Sequence, residues 1–395
     1  MAGQYQRRQF LRRAPNALLA EYFTAREFFF NIKVRALKET DIEPVFAGIA
    51  SLPQSDQADI DRDFQKINSM ASPAGIEALC NEAVFCKQPE LVQQVAAIDG
   101  LHAKAMWMFL NAPEYWRAAS SIMHAETASS RYWRKRTDLP TVLPDVSEEA
   151  LGALAQGISA YFHEKEGRGR NCRVEPYRKV DTGKEYFFAY PEDYGQTDVE
   201  WEQEQFLIRP RHPAFEIIFV YCASEGSLDI YAPRNAKAIP ELQRVFARTI
   251  LHLETLSDGA IDKRVYDLDG LADPAFTFRW SESANIDSVQ VSLLRLTLKA
   301  RPKCRIILEA DPFDDPRSVY RLLEELNPPA FFITQVRFKV VFTSGAESRR
   351  ARTRSFSVTY PNSCSLNHDG QDQIIRQMLI DSDIEPRPPS IDEPT

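Results

Sequence analysis

The sequence predicts an α+β protein, helical in front and built of antiparallel sheet behind. Three observations carry that prediction. Apolar residues recur at helical spacing from residue 15 to about 136, the pattern changes to period two after Gly167, and the order strand, strand, helix then occurs three times.

Taken in chain order, Leu18, Leu19, Tyr22 and Phe23 mark one helix, and Ile60, Phe64, Ile67 and Met70 mark another, since each set falls on one face of a 3.6-residue turn. The stretch from Pro89 to Arg136 reads as two or three more helices, with a restart at Pro113. A polar connector, Thr137 to Pro144, follows. Asp145 and Glu148 then fit a capping arrangement for a helix lined by Leu151, Leu154, Ile158 and Phe162. Residues 1–166 are therefore expected to form an all-helical domain.

Residues 167–385 are expected to form an antiparallel α+β domain. Cys172 to Val180 and Glu185 to Tyr190 read as a hairpin, because β-branched and aromatic residues alternate around the turn Asp181-Thr182-Gly183. The first strand-strand-helix unit runs Phe215 to Cys222, Leu228 to Ala232 and Pro240 to His252. The second runs Ser288 to Lys299, Cys304 to Glu309 and Pro316 to Leu326, and the third Phe331 to Thr343, Arg349 to Tyr360 and Asp369 to Ile380. This order suits antiparallel sheet with helices on one face. Asp315 before Pro316 reads as an N-cap, and Asn327-Pro328-Pro329 as a helix stop. Residues 386–395, rich in proline and charge, read as a tail.

Composition bounds the function. The 395 residues carry 48 Lys and Arg against 56 Asp and Glu, a net charge of −8, so affinity for polyanions would have to be local. The six cysteines are scattered, unlike the dense framework of small secreted domains, and read as free thiols in a reducing compartment. Arg7-Arg8-Gln9-Phe10-Leu11 resembles the twin-arginine export signal, but Glu21 and Arg26 interrupt the apolar stretch such a signal needs. No run of 18 apolar residues occurs. A cytoplasmic protein without membrane contact is expected.

Chemical motifs are sparse. Paired cysteines at zinc-knuckle spacing, His-Glu-x-x-His, a phosphate-binding loop and Gly-x-Ser-x-Gly are all missing. Cys364 and His368, beside Asp369, make at most half a metal site. Glu309, Asp311, Asp314 and Asp315 cluster at a strand end, where helix capping explains both the acids and the proline better than Mg²⁺ does. His163 and His212 have no local partner that would fix a catalytic role. A non-enzymatic protein with no metal and no cofactor is expected.

The positive signal is local basic charge, in Arg7 to Arg13, Arg131 to Arg136, Lys165 to Lys184 and Arg349 to Arg354. In an extended strand Arg350, Arg352 and Arg354 share a face. A symmetric turn over Ser344 to Glu347 sets Lys339 opposite Arg352 and Arg337 opposite Arg354, gathering five cations on one side. Like charges facing each other destabilise a sheet by roughly 0.2–1 kcal/mol per pair, so that face calls for an anionic partner. The expected function is macromolecule binding, by contact of this face, with Arg134 and Arg136, to nucleic-acid phosphates. The alternative is a protein-interaction component whose arginine face docks onto an acidic partner. A metal-dependent hydrolase using Glu309, Asp311 and Asp314 stands third. Oligomeric state is open.

Overall fold

A computed structural model describes residues 5–28, 32–129, 132–179, 182–202, 205–256, 265–313, 315–343, 352–366 and 370–385. The chain is α+β, as the periodicities predict, and it divides into two compact units. One comprises Met1–Glu126, Tyr177–Thr182 and Gly195–Arg211; the other comprises Thr127–Pro176, Gly183–Tyr194 and His212–Thr395.

The first unit is built from α1 (Arg7–Leu11), α2 (Asn16–Ala25), α3 (Glu43–Ala50), α4 (Gln54–Met70), α5 (Pro73–Phe85), α6 (Pro89–Ala96), α7 (Leu101–Asn111) and α8 (Trp116–Thr127). The predicted stripe on α4, Ile60, Phe64, Ile67 and Met70, is fully buried. Phe64 stacks on Phe10 with ring centroids 4.3 Å apart. Helix α5 begins as its sequence dictates, with the Ser72 hydroxyl accepting from Gly75 N at 3.1 Å and Pro73 at the first position. Arg7 is held by Asp61 through Nε at 2.9 Å and Nη2 at 2.6 Å, and Phe10 and Leu11 enter the core.

The second unit holds two five-stranded antiparallel sheets, save that the last three residues of β2 belong to the first unit. The first contains β1 (Trp133–Arg136), β2 (Cys172–Lys179), β3 (Lys184–Pro191), β6 (Ile217–Cys222) and β7 (Ser227–Tyr231), in the order β1-β7-β6-β3-β2. Helices α9 (Glu148–Glu166) and α10 (Ile239–Ile250) cover one face. Leu154, Ile158, Phe162, Leu242 and Phe246 pack there on Phe187, Phe219 and Tyr221.

These placements revise two expectations. The all-helical region ends near residue 126, not 166, because the apolar stripe of α9 is buried against this sheet. Arg134 and Arg136 lie on a strand: Trp133 pairs with Tyr231 and Arg136 with Leu228. Local charge at a helix end cannot be told from local charge on an edge strand until the sheet that recruits it is known. The cap of α9 is also displaced, since Ser147 accepts from Ala150 N while Asp145 accepts from Ser147 N.

The second sheet contains β8 (Ile286–Leu298), β9 (Arg301–Glu309), β10 (Phe331–Phe342), β11 (Thr353–Thr359) and β12 (Ser363–Cys364), in the order β12-β11-β10-β8-β9. Helices α11 (Ser318–Leu326) and α12 (Gly370–Asp381) contribute Val319, Tyr320, Ile375, Met378 and Leu379 to its core. Helix α11 starts two residues later than predicted, and Asp315 accepts from Arg317 N in the turn before it. The three strand-strand-helix units thus occur where expected, shared between two sheets. A further hairpin, β4 (Gln196–Glu202) with β5 (Gln205–Arg211), belongs to the first unit and forms a separate two-stranded sheet that no sequence pattern above predicts.

Candidate functional site

The register of β10 with β11 decides the fate of the arginine face. Lys339 pairs with Ser355, Val340 with Arg354 and Val341 with Thr353, and Phe342 N donates to Arg352 O at 2.9 Å. The partners' numbers sum three higher than a symmetric Ser344 to Glu347 turn requires. An odd offset turns every residue of β11 to the other side relative to β10. The cause is apolar matching: this register sets Phe338 against Phe356, stacked at 4.9 Å, and Val336 against Val358, whereas the symmetric one would have turned Phe356 outward beside Gln335.

The five-cation face is therefore not assembled. Arg354 lies on the core side, where Nε and Nη2 donate to the Asp372 carboxylate of α12 at 2.8 and 2.6 Å. Arg337 and Lys339 remain on the outer side, paired with Glu309 and, at 3.6 Å, Asp311. Arg352 is exposed, and Arg350 falls outside the described residues. On β1, Arg134 donates to Trp133 O at 2.7 Å, and Arg136 pairs with Asp138. What the outer face does gain is Arg295, directly opposite Gln335, and Arg305, opposite Thr297.

The other basic segment is also occupied from within. Arg168 donates to Glu166 at 2.8 Å, Asp193 at 2.9 Å and Asn235 at 2.7 Å, and its guanidinium lies 4.1 Å from the Phe215 ring centroid. Lys179 and Glu126 form a buried ion pair at 2.5 Å.

Glu309 and Asp311 serve the ion pairs above, Asp315 serves its turn, and Asp314, His368 and Asp369 lie outside the described residues. Among the described residues no group of His, Cys, Asp and Glu is arranged to hold a metal ion. Burial raises the Cys364 thiol pKa, so the thiol resists ionising. His212 Nδ1 sits 3.4 Å from Glu192 and is exposed. All six cysteines are free. Among the described residues no helix is long and apolar enough to cross a membrane.

A buried ionic cluster joins the two sheets of the second unit. Lys135 Nζ lies 2.6 Å from Glu385 and 3.5 Å from Glu225, and Lys135 N donates to Asn362 O. Burial opposes the Lys135 charge, but Glu385, Asp229 and Glu225 outweigh it and hold its pKa above the ordinary lysine value. Lys135, on the first sheet, thus grips Glu385, which follows α12 of the second, and the cluster fastens the sheets.

The feature without an internal explanation is the β4–β5 hairpin. Val199 pairs with Ile208, Trp201 with Phe206 and Thr197 with Pro210, so these six residues share one face. Val199 is 63 % exposed, Trp201 68 %, Phe206 53 % and Ile208 64 %. The opposite face carries charge. Arg209 meets Glu200 at 3.0 Å, and Arg211 meets Glu200 at 2.6 Å and Asp198 at 3.3 Å. A signal for the hairpin was present in the alternation Asp198-Val199-Glu200-Trp201-Glu202. That alternation says one face is apolar; only the structure leaves that face uncovered.

Compared with known proteins, the chain matches no family model and no curated protein.

Proposed function

We propose that the protein is a protein-interaction component of a larger assembly and that the β4–β5 hairpin is its docking element. One observation carries the reading: four large apolar side chains, each more than half exposed, stand together on one face of a ribbon whose described ion pairs lie on the other. A contiguous apolar patch of this size is near the largest a typical monomer carries and is often functional, because leaving it in water forgoes about 25 cal/mol for each Å². The contact differs from the one expected from the arginines, which are drawn into ion pairs with the chain's own acids.

The test is the size of the native particle in extracts of cells producing the protein. The wild type is expected to elute well above the chain's own mass, and the Trp201→Glu, Ile208→Glu double variant to fall to a smaller size, while Arg337→Glu leaves elution unchanged. Identical elution of wild type and hairpin variant refutes the reading.

A second reading, contact with nucleic-acid phosphates, draws on the outer face of the second sheet. Arg295 and Arg305 have no ion pair there among the described residues, and they join Arg337 and Lys339 on adjacent strands. Single-stranded RNA or DNA binding that weakens steeply with salt, and weakens further in Arg295→Glu with Arg305→Glu, would favour it. Binding indifferent to salt would discard it.

A further inference from the structure

We infer that the occupant of the hairpin's apolar face is the same face of a second copy of this chain, the two ribbons stacking about a two-fold axis. The inference rests on the docking reading above and adds the partner.

The chemistry of the face selects it. Thr197, Val199, Trp201, Phe206, Ile208 and Pro210 include no charged group, so two such faces meet without opposing like charges. The ion pairs of Arg209 and Arg211 with Glu200 and Asp198 hold the hairpin's charges on the far side. A partner chosen by charge would have nothing to read on this side.

Area points the same way. Two aromatic rings and two branched chains, each over half exposed, leave roughly 500 Å² of apolar surface open. Two identical hairpins, fully occluded, together remove about 1,000 Å², which reaches the total a specific interface needs.

Geometry favours stacking over edge-to-edge pairing. An isolated two-stranded ribbon is marginal in water, and two ribbons packed face to face, about 10 Å apart, make a four-stranded sandwich with a dry interior. The cross-strand rows Val199 with Ile208 and Trp201 with Phe206, whose rings lie 5.4 Å apart, supply an interior of alternating branched and aromatic side chains. A two-fold axis through the face sets each row against its counterpart. Strand β5 carries Pro210, a residue typical of strands that are not extended by further pairing.

The experiment is sedimentation of the full chain from about 1 to about 100 μM, a range that spans ordinary dimer affinities. It is combined with iodide quenching of Trp201 fluorescence, isolated by subtracting the Trp201→Phe variant. The wild type is expected to form a dimer, with Trp201 shielded as the dimer forms. Trp201→Glu should weaken it roughly thirty-fold or more, as loss of a central aromatic anchor does. Ile208→Lys, checked for native circular dichroism, should do the same, and Arg211→Ala on the charged face should not. A monomer throughout, with Trp201 open to iodide, overturns the second copy as occupant while the docking reading stands. A monomer with Trp201 shielded overturns both, because the chain then covers the face itself. A dimer indifferent to Trp201→Glu and Ile208→Lys overturns the inference by placing the contact elsewhere.

Discussion

Arg354→Met separates a structural role for the C-terminal arginines from a ligand-binding one. Arg354 forks onto Asp372, whose side chain is 6 % exposed, with two donor distances of 2.8 and 2.6 Å. Removing one partner of a buried pair costs about 3–5 kcal/mol. The Arg354 side chain is 38 % exposed, so water reaches the site and the expected loss falls to about 2–4 kcal/mol. Asp372 also sits in the first turn of α12, where the helix dipole favours a carboxylate and offsets part of the loss. For a unit of this size the loss corresponds to a Tm lowered by roughly 5–15 °C. The assay is thermal unfolding of the wild type, Arg354→Met, Asp372→Asn and the double variant. A coupling energy of at least about 1 kcal/mol is expected, since the two residues share one contact. A Tm within about 1 °C of wild type for Arg354→Met, or strictly additive losses, would show that Arg354 does not grip Asp372, and the outward arginine face would regain its basis.

Two further outcomes follow from the geometry. Gly226→Ala should lose about 1–3 kcal/mol in urea unfolding, because Gly226 has φ +59° and a Cβ there would collide with Leu139 O; unchanged stability would contradict that close approach. Burial raises the Asp61 carboxyl pKa, but Arg7 and Tyr5 outweigh it and leave it below the ordinary aspartate value. A depressed carboxylate pKa stabilises the fold above the unfolded value near 3.9 and ceases to do so as pH falls through the folded value. The stability gap between wild type and Asp61→Asn should therefore be full above the unfolded value and shrink as acid is added below it, and a gap that widens with acid would refute the assignment.

Much of the fold was legible because it rests on local patterns. Ile60, Phe64, Ile67 and Met70 lie one helical face apart whatever surrounds them, and the sequence order of β6, β7 and α10 needed only periodicity and punctuation. The domain boundary was not legible, because α9 has the same stripe whether it packs on helices or on a sheet, and its partners Phe187 and Phe219 lie distant in sequence. Arg168 read as surface charge for the same reason, since Asp193, Asn235 and Phe215 arrive from other segments.

By itself, then, the sequence determined the α+β class, the strand-strand-helix order, and the existence of local basic and alternating segments, all of which depend on neighbours within a few turns. Which way those segments face was decided by tertiary structure alone. A strand's side chains alternate with a period of two, so a change of odd length in register, driven by Phe338 finding Phe356, carries Arg354 from solvent to Asp372. The same alternation in β4 and β5 supplies an apolar face, and only the absence of a covering layer among the described residues makes that face available for binding.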